Sequence, residues 1–182
     1  MPFIFKKSSL PEVILVESKI FPDERGNFFE MHKKSDFEKV GIKEEFVQTS
    51  VSHSKKNVLR GLHFQKSPHG QAKLIMAASG RILDIAVDMR KSSPNFGKWV
   101  GEELSGSNSR MLYIPTGFAH GFLCLSDEAV VVYKMSREYS PESDAGVVWN
   151  DPRFGIGWPT KDPILSKKDA TLPKFEKAFY FD

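Results

Sequence analysis

An all-β sandwich or barrel is the fold class this sequence predicts. Short segments of strand composition recur along most of the chain, and clusters of turn residues separate them. The chain is also rich in aromatics, fifteen of them Phe, and such side chains favour strands.

Taken in order, Phe3-Ile-Phe5 is a short apolar strand with no evident partner nearby. Val13–Glu17 and Asn27–His32 follow as strands. Ser35-Asp-Phe-Glu-Lys-Val40 then breaks the series: Ser35 is an N-cap type, Asp36 supplies an acid for the first turn, and Gly41 is a stop, so a short surface helix is expected. Strands resume at Phe46–Val51, at Leu59–Gln65, where an apolar run carries Arg60, His63 and Gln65, and at Lys73–Ala78. Ser79-Gly80 reads as a hairpin turn into Arg81–Asp88. That run is apolar on both faces apart from its acids, which suits a central strand and makes Asp84 a partly buried carboxylate. Trp99–Leu104, Met111–Ile114 and His120–Leu125 come next, and Ser126-Asp127-Glu128 reads as a second hairpin turn into Ala129–Met135. From about residue 141 the prolines at 152, 159, 163 and 173 forbid long strands, so an irregular wrap with short helices is expected, one of them near Ser166–Asp169.

At 182 residues the chain fits one domain, 1–182, with one core. A formal net charge of +3, with the basic residues scattered among Asp and Glu, argues against nucleic acid as a partner and leaves room for a small anion held by one or two arginines. The single cysteine, Cys124, can form no disulfide within the chain and sits in an apolar run as a small hydrophobe. Neither a signal peptide nor a run of about 18 apolar residues is present, so a cytoplasmic protein without a membrane partner is expected.

Two segments concentrate polar groups of catalytic reach. Val58–Gln65 carries Arg60, His63 and Gln65, and Pro115–Phe122 places His120 after a turn in a second apolar strand. Two such half-sites argue for one pocket between sheets. His63 suits general-base work because its unperturbed pKa is about 6.5; the alternative is a hydrogen-bonded core histidine. A base needs a carboxylate to fix its tautomer, and Asp84 and Asp169 are both candidates. A metal site would want a histidine where Gln65 stands, His53 and His69 fall in loop-like contexts, and so no metal is expected. Lys73 reads as a carbonyl-polarising cation or a solvated strand end, Tyr133 as a proton donor or a core aromatic, and Arg25 as a turn residue or a surface charge.

The chain resembles the nucleotide-sugar 3,5-epimerases of the dTDP-4-dehydrorhamnose type. The resemblance runs through Asp23-Glu-Arg-Gly26, Phe46-Val-Gln48, Val58-Leu-Arg-Gly-Leu-His63, Lys73-Leu74, Asp84-Ile-Ala-Val-Asp88, Ile114-Pro115, Gly117-Phe-Ala-His-Gly-Phe122, Tyr133-Lys134 and Leu165-Ser-Lys-Lys-Asp169. It implies a cupin-type jelly roll (double-stranded β-helix) with short peripheral helices, a homodimer, and no metal or organic cofactor. Carried over residue by residue, it implies that His63 is the base, Asp169 its orienting carboxylate, Tyr133 the acid on the opposite side of the sugar and Lys73 the cation that meets an enolate. Arg60 and His120 would line the sugar pocket, Gln48 and Ser50 would meet the nucleotide base, and Tyr139 would stack on it. Asp144 and Lys168 match further substrate-binding positions, and Arg25 and Glu30 match nucleotide contacts supplied by the neighbouring subunit. Two departures are visible: Ser50 stands where the family usually has Asn, and Asp144 where it usually has Glu.

The implied substrate is dTDP-4-keto-6-deoxy-D-glucose, inverted at C3 and C5 to dTDP-4-keto-L-rhamnose in dTDP-L-rhamnose biosynthesis. A C4 ketone acidifies the hydrogens on C3 and C5, so removal by a base and return from the other face inverts each centre. Epimerisation at C3 alone or C5 alone is the alternative within the class; a non-catalytic sugar-binding cupin is the alternative outside it.

Overall fold

The computed structural model describes residues 2–182. Thirteen strands dominate it: β1 Phe3–Lys7, β2 Ile14–Ser18, β3 Phe21–Asp23, β4 Gly26–Phe28, β5 Gln48–Lys55, β6 Leu59–Gln65, β7 Lys73–Ser79, β8 Arg81–Asp88, β9 Trp99–Ser105, β10 Arg110–Ile114, β11 Phe118–Cys124, β12 Glu128–Met135 and β13 Asp144–Gly146. Six form one sheet in the order β1-β2-β10-β7-β12-β5, five form a second in the order β13-β6-β11-β8-β9, and β3 and β4 pair as a separate ribbon. Every pairing between these strands is antiparallel. This is the cupin-type jelly roll expected from the resemblance.

Period-2 alternation explains the layers. Along β7, Ile75 and Ala77 enter the core between the sheets while Leu74 and Met76 point to the outer face. Along β8, Ile82 and Ala86 point inward while Ile85 and Val87 point outward. The outer face of the larger sheet is covered by Phe37 of the short helix α1, Lys34–Glu38, and that of the smaller sheet by the C-terminal segment through Phe154 and Phe175. No helix among the described residues is long and apolar enough to cross a membrane.

Several local expectations are corrected. Ser79-Gly80 and Ser126–Glu128 are not hairpin turns: each joins strands of opposite sheets, β7 to β8 and β11 to β12. Turn composition reports a change of direction, and in a jelly roll that change crosses between layers. The segment expected as a strand over Asn27–His32 keeps only β4, because its partner β3 is three residues long. Helix α1 is capped at Lys33 without a side-chain bond, so Ser35 is not its N-cap, and Phe37 at 1 % exposure makes it a core anchor. His53 lies in β5, not a loop, and Asp84 is fully buried. Near Ser166 the chain forms a 3-10 turn at Asp169–Thr171, with Ser166 Oγ accepting from the Asp169 backbone N–H at 3.0 Å.

Candidate active site

At one end of the inter-sheet space, polar side chains replace the apolar ones on the same strand faces. Lys73 continues the inward row of Ile75 and Ala77; Asp84 lies between Ile82 and Ala86; His120 lies between Phe118 and Phe122; and Tyr133 extends Ala129 and Val131. Lys73, His120 and Tyr133, with Gln48, Ser50 and Ser52 of edge strand β5 and Asp144 of edge strand β13, surround a cavity of about 460 Å³, room for a hexose and part of its substituent, and Asp84 lies fully buried behind His120.

Strict alternation would put Arg60 and His63 on opposite faces of β6, yet both line this cavity. The register explains it. His63 faces His120 and Arg60 faces Phe122, so three steps on β6 span two on β11, a bulge of one residue. Gly61 takes up the distortion at φ +129°, a conformation that side chains disfavour. A Cβ on Gly61 would stand 2.5 Å from Gly121 Cα, and one on Gly121 would stand 2.6 Å from Arg60 O, so two facing glycines let the backbones close. Arg60 is then held by Ser54 Oγ at 3.1 Å and by the His53 carbonyl at 3.2 Å.

His63 Nε2 lies 2.6 Å from Asp169 Oδ1, so the pairing falls to Asp169 and not to Asp84. Burial tends to raise the Asp169 pKa, but bonds from His63, Ser166 and the Gly61 backbone outweigh it and hold the carboxyl below its usual range. An ionised Asp169 accepts the Nε2 proton, which leaves Nδ1 as the nitrogen able to take a proton from a ligand. Asp84 instead accepts from His120 Nε2 at 2.7 Å, while its other oxygen has no partner among the described residues. His63 and His120 are direct cross-strand neighbours, so two histidine–carboxylate pairs stand side by side.

The Tyr133 hydroxyl lies 2.8 Å from Ser52 Oγ, and burial pushes its pKa up to about 12. It is therefore a proton donor at neutral pH. Lys73 is 9 % exposed, and burial pulls its ammonium down to about 8, against the upward pull of the Asp84 and Asp144 carboxylates. It still carries its charge at neutral pH. Its Nζ donates to the His63 carbonyl at 3.4 Å. Among the described residues no three His, Cys, Asp or Glu side chains converge as a metal site. Gln65 is committed elsewhere: Nε2 donates to His69 O at 2.7 Å and Oε1 accepts from Ser140 N at 2.6 Å.

At the cavity mouth Asp144 accepts from the Tyr139 hydroxyl at 2.9 Å and pairs with Lys168. Gln48 Oε1 accepts from Tyr139 N at 2.7 Å, and its Nε2 donates to Ser50 Oγ at 3.2 Å. Tyr139 stays 54 % exposed, an open ring face. Arg25 and Glu30 are not brought into this cavity. Arg25 sits at the tip of the β3–β4 ribbon, its side chain 84 % exposed and, among the described residues, bonded only to Asp23, and the Glu30 carbonyl accepts from Ser18 Oγ at 2.8 Å. Sequence reasoning missed Ser52 in the site and the partnership of Asp84 with His120. The even spacing of Gln48, Ser50 and Ser52 along one strand was the available signal.

A family model described as dTDP-4-dehydrorhamnose 3,5-epimerase matches residues 7–177. The enzyme of that name from Shigella flexneri is 51% identical over 176 residues, covering 96% of this chain and 97% of the relative. The crystal structure of its counterpart from Sulfolobus tokodaii superposes with a TM-score of 0.94 at 46% identity, over 100% of both chains. A Legionella pneumophila dTDP-6-deoxy-D-glucose-3,5-epimerase, solved with dTDP-4-keto-L-rhamnose, superposes at 0.93 with 42% identity over 96% of this chain and 94% of the other. Fold and site together define the class, a cupin-type isomerase working on sugars. The chain belongs to the dTDP-4-dehydrorhamnose 3,5-epimerase family.

Proposed function

We propose that this protein inverts C3 and C5 of dTDP-4-keto-6-deoxy-D-glucose, giving dTDP-4-keto-L-rhamnose for dTDP-L-rhamnose biosynthesis, with His63 as base and Tyr133 as acid. The observation that carries this assignment is the convergence of the His63–Asp169 pair and the protonated Tyr133 on one sugar-sized cavity. In the D-gluco chair the hydrogens on C3 and C5 are both axial on one face of the ring, so a single base reaches both. Each inversion takes a proton from one face and returns one from the other, leaving the oxidation state unchanged, and so it calls for no redox partner. Lys73 supports the charge that develops on O4. A purely sugar-binding cupin would have no use for a protonated acid and an oriented base in one cavity. Turnover in D₂O, followed by proton NMR, is expected to place deuterium at both C3 and C5; label at only one carbon would reduce the activity to a mono-epimerase, and label at neither would defeat the reading.

The nucleotide end extends the proposal. Gln48, Ser50 and Tyr139 flank the cavity mouth and suit a stacked base, while Arg60 and His120 face the sugar and Asp144 and Lys168 close the rim. Arg25 and Glu30 lie away from this cavity, and the exposed Arg25 guanidinium suits a pyrophosphate in the site of a second copy, because it can bond two oxygens at once. The working unit is then a homodimer in the cytoplasm with composite sites. Mixing Arg25→Ala and His63→Ala subunits should regenerate one intact site per mixed dimer; verified heterodimers without recovered turnover would return Arg25 to its own chain.

A further inference from the structure

We infer that Ser52 is a positioning residue that aims the Tyr133 hydroxyl and restores its proton between the two inversions. The inference rests on Tyr133 as the acid. The Tyr133 oxygen has one side-chain partner, Ser52 Oγ at 2.8 Å, and Ser52 Oγ makes no other hydrogen bond among the described residues. The tyrosine ring is otherwise set against His120 and Phe122, each with its centroid 6.3 Å away, and the charged groups that act on its hydroxyl are Asp84 and Arg60. Ser52 lies on β5, the edge strand of its sheet, and both it and Tyr133 are partly buried. It therefore stands between the phenol and the edge of the sheet, with both residues lining the cavity.

A hydroxyl pair has two states. With the tyrosine donating to Ser52, the phenolic proton points away from the sugar; with Ser52 donating, that proton is free to face the carbon. Only the second state is productive. After one inversion the carbon's proton sits on His63 and the phenolic proton on the sugar, leaving an imidazolium and a tyrosinate. A second inversion requires both to be reset. Ser52 passes its proton to the tyrosinate while a water at the pocket mouth reprotonates Ser52 Oγ; the hydroxide so formed takes the proton from His63, whose side chain is 29 % exposed. Protons balance, and no other reactant is needed.

The test compares Ser52→Ala with Ser52→Thr in single-turnover reactions in D₂O, scoring product inverted at one centre against product inverted at two. Alanine should raise the singly inverted share about tenfold, the scale of a lost hydrogen bond to a charged oxygen, and threonine should restore the wild-type ratio. An unchanged ratio with alanine, or an equal defect in both variants, would overturn the inference; where alanine does not fold, Ser52→Cys, a weak donor of similar size, makes the same comparison. Tyr133→Phe separates the two levels. If Phe is inactive while Ser52→Ala behaves as wild type, only the role of Ser52 falls; if Phe still inverts both centres, the assignment of the acid falls with it.

Discussion

His63→Ala is expected to remove deuterium exchange at C3 and C5 together while leaving nucleotide binding intact. A positioned base is worth roughly a hundred- to ten-thousand-fold in rate, and here one imidazole is asked to serve both carbons, so the loss falls on both exchange signals in equal measure. The Asp169→Asn variant sharpens the case. An amide in place of the carboxylate at 2.6 Å can no longer accept the Nε2 proton with full charge, and its NH₂ group favours the tautomer that puts the proton on Nδ1, the nitrogen needed as base. Turnover should fall with little change in KM or in thermal stability. Exchange at the wild-type rate in His63→Ala, measured by NMR in D₂O, would show that another group is the base.

Lys73→Met should cost roughly a hundred- to a thousand-fold in turnover, the usual scale for removing one preorganised group from a developing oxyanion. Methionine keeps the length and suits the buried position, so folding is spared. The charge on Lys73 also predicts a pH profile. With its pKa near 8, Lys73 is a cation below that pH and neutral above it, so kcat/KM should decline as pH rises through about 8. Tyr133, pushed up to about 12, contributes nothing in that range. Lys73→Met should therefore lose the alkaline limb as well as the rate, and a variant that kept the same limb would assign it to a different group.

The strands were legible because short apolar, β-branched and aromatic runs bounded by turn residues mark strands buried on both faces: β7, β8, β11 and β12 stand close to where their composition placed them. Which sheet each strand joins was not legible. Ser79-Gly80 and Ser126–Glu128 have the chemistry of tight turns, and nothing local distinguishes a turn within a sheet from a corner between two. The same limit applies to the site. The residues around His63 and His120 advertised polar reach in apolar strands, but their carboxylates are a matter of long-range placement: Asp169 stands 106 positions from His63, and Asp84 36 positions from His120. The shared face of Arg60 and His63 depends on a bulge at Gly61, which composition suggests and only register reveals. For Ser52 the only signal was its even spacing from Gln48 and Ser50.

The carboxylate bonded to His63 does not belong to the sandwich. It hangs from the C-terminal segment, tied down on one side where Ile164 bridges Val58 and on the other where Phe175 packs beneath the smaller sheet. The carboxylate serving His120, by contrast, is embedded in β8. Peripheral segments open at far lower free energy than the strands they cover. If His63 is the base, catalytic competence then depends on a segment outside the double sheet: heat, denaturant or a protease that lifts this strap should silence the enzyme while the sheets beneath stay whole, and refastening it should restore activity without refolding.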